Sequence, residues 1–361
     1  MRLDELGWDE SRTRDFAPWA GRDDVRPTRV LIEYNHNFRV AGEGGDLDAV
    51  VSGRLKHQAV SRAELPAVGD WVVLRVRADD PRGAIIGVLP RRSHFSRRMA
   101  GQVTDEQVVA ANIDVVFIVM ALDHDFSPRR LERYLLLAHE SGAAPVVLLT
   151  KPDVEPARLD ERLDEVRPVT GLVPLHVVNP RLGQGVDVVR ACLGPGRTGA
   201  LLGSSGVGKS TIINRLAGGE LQRTRDVRTA DSKGRHTTTH RELVQLPDGS
   251  LLIDTPGMRE IQLWDAGDAV RETFEDVEAL AADCRFADCR HLAEPRCAVK
   301  AAVDAGTLAQ ARLDSYQALQ AELIHLAQQQ DARSLLEEKR KSKVMGRALK
   351  DFQRRRPRGK L

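Results

Sequence analysis

Between Asn112 and Leu149 the chain passes from scattered apolar positions to solid blocks. Val115–Met120 is one continuous apolar run and Pro145–Leu149 is a second. Between them Leu131, Tyr134, Leu135 and Ala138 recur at helical spacing, behind Ser127 as N-cap and Pro128 at the first helical position, with Gly142 as the stop. A capped amphipathic helix between two fully apolar strands predicts a parallel sheet covered on both faces. Further strands are expected at Pro174–Val178 and Gly199–Gly203, and Asp248-Gly249 should turn a hairpin between Glu242–Leu246 and Ser250–Asp254. Upstream, Arg29–Val40, Ala49–Lys56, Asp70–Val76 and Ala84–Leu89 read as short β-stretches separated by turn-rich pieces such as Gly42-Glu43-Gly44-Gly45. Such short, closely spaced strands predict a small closed barrel. Residues 1–27 show no sustained period and read as a flexible extension. Past about Asp265 the pattern turns helical. The expected division is therefore an extension over 1–27, a barrel over 28–100, an α/β domain over 101–265, a helical domain over 266–330 and a tail over 331–361.

Composition narrows the class. The chain has 361 residues, room for two or three domains, and 42% of them are apolar. Its longest apolar run, Val115–Leu122, falls far short of the ~20 residues of a membrane helix. The first 27 residues mix Arg with acids and lack an apolar core, so no secretory signal is expected and the cytosol is the expected location. Four cysteines are too few for a disulfide framework. The net charge of +2 hides an asymmetry: residues 333–361 carry twelve Lys and Arg against three acids, a local +9 that leaves the rest at −7. A cationic terminus suits a polyanion or is simply a solvated tail. Arg91-Arg92-Ser93-His94-Phe95-Ser96-Arg97-Arg98 sets four arginines around one aromatic ring with no acid between them. That composition suits RNA, while a basic linker with Phe95 tucked into the core fits it equally well.

The strongest chemical signal is Gly203-Ser204-Ser205-Gly206-Val207-Gly208-Lys209-Ser210, which fits G-x-x-x-x-G-K-[ST] between an expected strand and an expected helix. Glycines let successive backbone N–H groups turn inward around phosphates, and the helix N-terminus adds positive potential. Lys209 should reach the β- and γ-phosphates and Ser210 should ligate Mg²⁺, with Thr211 beside them. Downstream, Asp254-Thr255-Pro256-Gly257 ends the second hairpin strand, where Asp254 can hold Mg²⁺ through water and Gly257 can bring its N–H to the γ-phosphate. Between the two, Gly234-Arg235-His236-Thr237-Thr238-Thr239 supplies hydroxyls, of which Thr238 is the expected second Mg²⁺ ligand. Upstream of the cradle, Thr150-Lys151-Pro152-Asp153 follows a buried strand and matches the [NT]-K-x-D pattern of guanine recognition. The Asp153 carboxylate can accept from guanine N1–H and the 2-amino group. Adenine offers neither donor and would leave a charge unpaired. The order is unusual: base reader first, phosphate cradle next, Mg²⁺ motif last. A sheet whose original termini lie close together tolerates such circular permutation.

After the α/β region, Cys284, Cys289, His291 and Cys297 present three thiols and one imidazole, the donor set of a closed structural Zn²⁺ site. With the barrel before them, and GRHTTT, DTPG and this cluster after the base reader, residues 29–325 resemble the ribosome small-subunit-dependent GTPase A (RsgA, also written YjeQ) family. The resemblance implies an N-terminal OB-type barrel, a central circularly permuted P-loop GTPase and a C-terminal helical zinc domain. It implies a cytosolic monomer, bound to the 30S subunit and 16S rRNA, that hydrolyses GTP as a late checkpoint of 30S maturation. The alternative is an RNA-binding protein that uses nucleotide only as a binding switch. Two positions depart from common GTPases. Asn179 stands where Ser-Ala often touches guanine, and Met258 stands where a water-orienting Gln is usual, so hydrolysis without the ribosome should be slow. The resemblance points to His236, with Lys209 and Thr238, as the catalytic group.

Overall fold

The barrel strands close on themselves. In the computed structural model, which describes residues 2–34, 37–77, 80–98, 106–218, 241–254, 267–321, 323 and 324, the expected strand over 29–40 is two. β1 (Val25–Tyr34) turns into β2 (Asn37–Gly42), which pairs with β3 (Gly45–Val51). β3 runs parallel to β5 (Asp80–Val88), β5 returns antiparallel to β4 (Trp71–Arg77), and β4 pairs back onto β1. Val30, Phe38, Val40, Val72, Leu74 and Ile85 fill the interior. The expected strand 49–56 stops at Val51 because Ser52 caps a helix, Gly53–Gln58, by accepting the Leu55 N–H.

After the barrel come a two-stranded ribbon, β6 (His94–Arg98) with β7 (Glu106–Ala111), and then β8 (Val115–Ala121), β9 (Ala144–Thr150), β10 (Leu175–Val178) and β11 (Thr198–Leu202). The hairpin β12 (Arg241–Gln245) and β13 (Leu251–Asp254) completes the sheet. The spatial order is β10-β9-β8-β11-β13-β12, parallel throughout except for β12. Every residue of β8 is buried, as a central strand covered on both faces requires. The expected helix is Pro128–Ser141, with Ser127 accepting the Arg130 N–H and Gly142 ending it at φ +80°. The five parallel strands all end on one edge, where β8, β9, β10, β11 and β13 release their loops. Such an edge is where open α/β sheets bind ligands.

Two findings were not expected. The first is that β12 pairs antiparallel with β1, joining Ile32 to Glu242 and Glu33 to Arg241, so barrel and α/β sheet share hydrogen bonds. The second is that residues 4–19, read as part of a flexible extension, are packed. Asp9 caps a helix, Glu10–Phe16, Leu6 and Phe16 are buried, and Trp8 meets Trp71 edge-on at 4.8 Å. Burying Leu6 and Phe16 stabilises this docking by roughly 1.5–3 kcal/mol each. A polar centre beneath it does the rest. Arg29, 2% exposed, donates to the carbonyls of Leu6, Gly69 and Asn112 and to Thr198 Oγ1. Its burial pushes the guanidinium down to about 10, partly offset by Asp114. Arg12 donates to Asn112 Oδ1 at 2.6 Å, and Asn112 Nδ2 donates to Gly69 O at 3.1 Å. One buried cluster therefore ties the N-terminal segment, the barrel and the first residue of β11 together.

For the basic stretch 91–98 the same packing favours the second of the two readings. Phe95 is 2% exposed and belongs to the core, so it is no stacking platform. Arg91 makes a bidentate pair with the fully buried Asp70, and Arg92 pairs with Asp9 at 2.6 Å. Both charges are spent within the fold.

From Phe274 onward the described residues form a second compact unit. Helices Glu275–Ala281, Ala298–Asp304 and 310–321 surround Phe274, Val277, Val299, Leu313 and Tyr316. Arg312 lies over the Phe274 ring at 4.2 Å and pairs with Asp276.

Candidate functional site: a nucleotide cleft and a cysteine-histidine centre

The cradle follows β11 directly. Gly203 has φ +148°, and a Cβ there would sit 2.2 Å from Val119 O, so only glycine fits. Gly206 (φ +81°) and Gly208 (φ +102°) turn the loop over, while Val207, 1% exposed, anchors it in the core. Helix Lys209–Leu216 starts at Gly208 with no side-chain cap, which leaves its first N–H groups for an anion. Lys209 Nζ donates to Gly203 O at 2.6 Å and Ser204 O at 2.5 Å, so its ammonium lies across the loop mouth. Ser205 and Ser210 are exposed, and Ser204 and Thr211 are half-buried.

The base-reading motif meets this loop. Thr150, fully buried at the end of β9, donates through Oγ1 to Val207 O at 2.6 Å, across 57 residues of chain. A Cβ placed on Gly208 would lie 3.9 Å from both Thr150 and Pro180. Lys151 adopts a left-handed φ of +59°, a conformation that costs a non-glycine residue energy and marks sites. Its Nζ donates to Asp123 Oδ2 at 2.7 Å. Burial would raise the Asp123 carboxyl, but Lys151 and the Asp125 N–H outweigh it and hold the group below its ordinary value. Asp153 is exposed, and its Oδ1 accepts from Asn179 Nδ2 at 2.7 Å. Asn179, 3% exposed, is locked by exchanging backbone hydrogen bonds with Gln184. Arg215, on the helix behind the cradle, donates to Pro180 O and Arg181 O and fixes the same loop.

Thr150, Lys151, Asp153, Asn179 and the cradle thus lie together at one edge of the sheet. The backbone of Asp254 ends β13 on the same edge. His236, Thr238, Thr255, Pro256, Gly257 and Met258 lie outside the described residues, as does the basic tail. Sequence reasoning missed Asp123, Asp125, Arg130 and Arg215. Their signal was position alone: Asp123 stands just past the end of an apolar parallel strand, where site residues gather. Left-handed glycines, an uncapped helix start and a lysine over the loop fit a nucleotide's phosphates.

In the second unit the Sγ and Nδ1 atoms of the cluster converge. Cys284 Sγ lies 3.7 Å from His291 Nδ1 and 3.8 Å from Cys297 Sγ, and His291 Nδ1 lies 3.3 Å from Cys297 Sγ. With Cys289 included, one donor atom from each residue falls within 4.8 Å of all the others. The edge of a tetrahedron with ~2.3 Å Zn–S bonds is ~3.8 Å, so the donors fit Zn²⁺. Burial pushes the His291 imidazole below its usual range, favouring the neutral ring that ligates metal. Four protein donors close the coordination sphere, so the metal would hold the fold.

The RsgA GTPase family model matches residues 88–264, and another, described as a 50S ribosome-binding GTPase, matches 198–336. The chain is 48% identical to the small ribosomal subunit biogenesis GTPase RsgA of Opitutus terrae over 92% of each chain. It is 40% identical to the protein of the same name from Syntrophotalea carbinolica over 98% of each. Among solved structures, YjeQ from Thermotoga maritima matches with a TM-score of 0.64 and 25% identity, over 83% of this chain and 99% of that one. YloQ, described as a circularly permuted GTPase, matches at 0.60 and 22%, over 84% and 96%, a likeness of fold.

Proposed function

The chain belongs to the RsgA GTPase family, and we propose that this GTP hydrolase acts on the small ribosomal subunit late in its maturation, with the 30S particle stimulating hydrolysis and hydrolysis releasing the protein. The observation that carries the reading is the bond from Thr150 Oγ1 to Val207 O, which joins a guanine-reading motif to a phosphate cradle despite their reversed order in the chain. The names of the relatives, small ribosomal subunit biogenesis GTPase, support the choice of particle.

In this reading Asp153 accepts from guanine N1–H and the 2-amino group, Asn179 orients that carboxylate, and Gly203 to Thr211 wrap the phosphates. Ser210 and Thr238 would hold Mg²⁺, with Asp254 acting on it through water and Gly257 offering its N–H to the γ-phosphate; the ion would neutralise negative charge on the phosphates. Met258 has no strong hydrogen bond to give water, and ribosome docking brings His236 or an RNA-held water into line. Cys284, Cys289, His291 and Cys297 hold Zn²⁺. The working parts of this reading are 28–100, 101–265 and 266–330, although strand β1 starts earlier, at Val25, the ribbon of β6 and β7 straddles the first boundary, and residues 267–273 belong to the first compact unit. With Arg91 and Arg92 paired to acids, contact with 16S rRNA falls to other cations, chiefly those of 333–361. No helix among the described residues is long and apolar enough to cross a membrane; the reading itself is of a cytosolic monomer.

The test is GTP hydrolysis by the full chain alone and with isolated 30S, 50S and 70S particles. Stimulation by 30S above the others is expected, and equal rates in all four would refute the proposal. Binding to 30S should weaken steeply with salt.

A further inference from the structure

The loop between β8 and helix Pro128–Ser141 contributes nothing to the motifs that define the cleft, yet it runs between the two of them. Lys151 Nζ donates to Asp123 Oδ2 at 2.7 Å, and Asp123 Oδ1 accepts the Asp125 N–H at 2.9 Å. Asp125 Oδ1 in turn accepts from Arg130 Nη1 at 2.5 Å, and the same Nη1 donates to Ser204 Oγ at 2.8 Å. Four contacts thus lead from the base-reading lysine to the second residue of the phosphate cradle.

Three features say that Arg130 is held there for a purpose. It occupies the first turn of its helix, where the dipole disfavours a cation and where the turn itself carries no acid, so the charge is held by Asp125 from the preceding loop. Its backbone is fixed, because Ser127 Oγ accepts the Arg130 N–H. Its partner is committed as well: Asp125 Oδ2 is buried and has no hydrogen-bond partner among the described residues, so Arg130 is the main compensation for that carboxylate. At the cradle end the Ser204 oxygen accepts from a guanidinium. That leaves the hydroxyl hydrogen for an anionic acceptor and makes it a stronger donor.

We propose that Arg130, clamped by Asp125, is a positioning residue of the GTPase reaction: it sets Ser204 and the opening turn of the cradle in the geometry that hydrolysis needs, and links that geometry to Lys151 through Asp123. The inference rests on the GTPase reading of this cleft. Because ground-state affinity comes from the whole cradle and the base reader, Arg130 governs turnover more than binding. A displacement of about 1 Å in a positioned group costs on the order of 100-fold in rate.

The experiment compares the full-length wild type with R130A, R130K, D125N, S204A and the R130A/S204A double variant. Single-turnover GTP hydrolysis with 30S subunits is read beside GDP affinity, from a fluorescent GDP analogue, and beside the thermal midpoint. R130A should lower the rate about 10- to 100-fold with GDP affinity within about twofold. R130K, whose ammonium can still donate to both oxygens, should recover part of the loss. D125N should fall in the same direction. The double variant should be no slower than the worse single one, since both cut the same contact. Wild-type rates in R130A and D125N would overturn the proposal. So would a shared drop of GDP affinity and thermal midpoint at unchanged turnover, the mark of a purely structural residue. A wild-type chain that binds GTP but never hydrolyses it would instead refute the GTPase reading, and this proposal with it.

Discussion

Replacing Thr150 by Val keeps the side-chain volume and removes one hydroxyl. In the folded chain that hydroxyl donates to Val207 O at 2.6 Å and lies within 3.4 Å of Met120 O, at a position with no exposure to solvent. Water cannot replace the lost donor, so Val207 O is left buried and unpaired, at about 1–3 kcal/mol. The thermal midpoint should fall by roughly 2–4 °C for each kcal/mol lost. The more telling effect is on binding. The bond holds the base reader against the cradle, so without it a nucleotide must bring the two together itself. If about 1.4 kcal/mol of the loss appears there, GDP affinity drops about tenfold. A ligand that touches the cradle alone has no such cost. Titration with a fluorescent GDP analogue, set beside competition by inorganic pyrophosphate, separates the two cases. T150V should weaken GDP clearly more than pyrophosphate. Equal losses for both ligands, or a lower midpoint with unchanged GDP affinity, would refute the reasoning.

The remaining expectations concern the two ends of the described chain. Arg92 hydrogen bonds hold the Asp9 carboxyl down at about 2, well below its ordinary value of 3.8. A depressed carboxyl stabilises the fold fully above the unfolded value and loses that contribution as pH falls through the folded one. The docking of the N-terminal segment should therefore weaken, by no more than the worth of that pair, between about pH 4 and pH 2, followed through Trp8, which leans on Trp71. The pair is half exposed, so D9N should cost less than about 1 kcal/mol, and acid unfolding unchanged by D9N would count against the docking. At the other end the chain should carry one zinc, measured by elemental analysis. Its removal by a chelator should unfold the unit from Phe274 onward, since structural Zn²⁺ contributes on the order of 10 kcal/mol. C297S should lower zinc content, and a C297S chain with full zinc would exclude that ligand set.

Where local pattern decides structure, the sequence is readable. β8 is apolar throughout and β9 is apolar from Val146 to Leu149 because neighbours cover both faces there, and the helix behind Ser127 and Pro128 ends at Gly142 as its caps dictate. The cradle and the Thr150–Asp153 motif are likewise local, and the cleft follows once parallel strands end on one edge. Long-range burial of charge is not readable. A lone arginine defaults to the surface, yet Arg29 is buried by carbonyls from Leu6, Gly69 and Asn112, which no local period connects to it. The same blindness made residues 4–19 look loose and left the place of Phe95 open between core and surface. Asp123 and Arg130 were hidden for another reason, since their partners Lys151 and Ser204 are neighbours only once the sheet has formed.

The central claim is that Asp153 and Lys209 close on one guanine nucleotide although the chain delivers the base reader before the cradle. Asp153→Asn tests it most directly, through the affinities of GTP and xanthosine triphosphate for the same protein. Xanthine carries an acceptor carbonyl at C2 where guanine carries a donor amine, and an Asn amide donates where a carboxylate only accepts. The account predicts that D153N loses GTP by at least about 100-fold and binds the xanthine nucleotide better than the wild type does. Unchanged preference for GTP in D153N would contradict it.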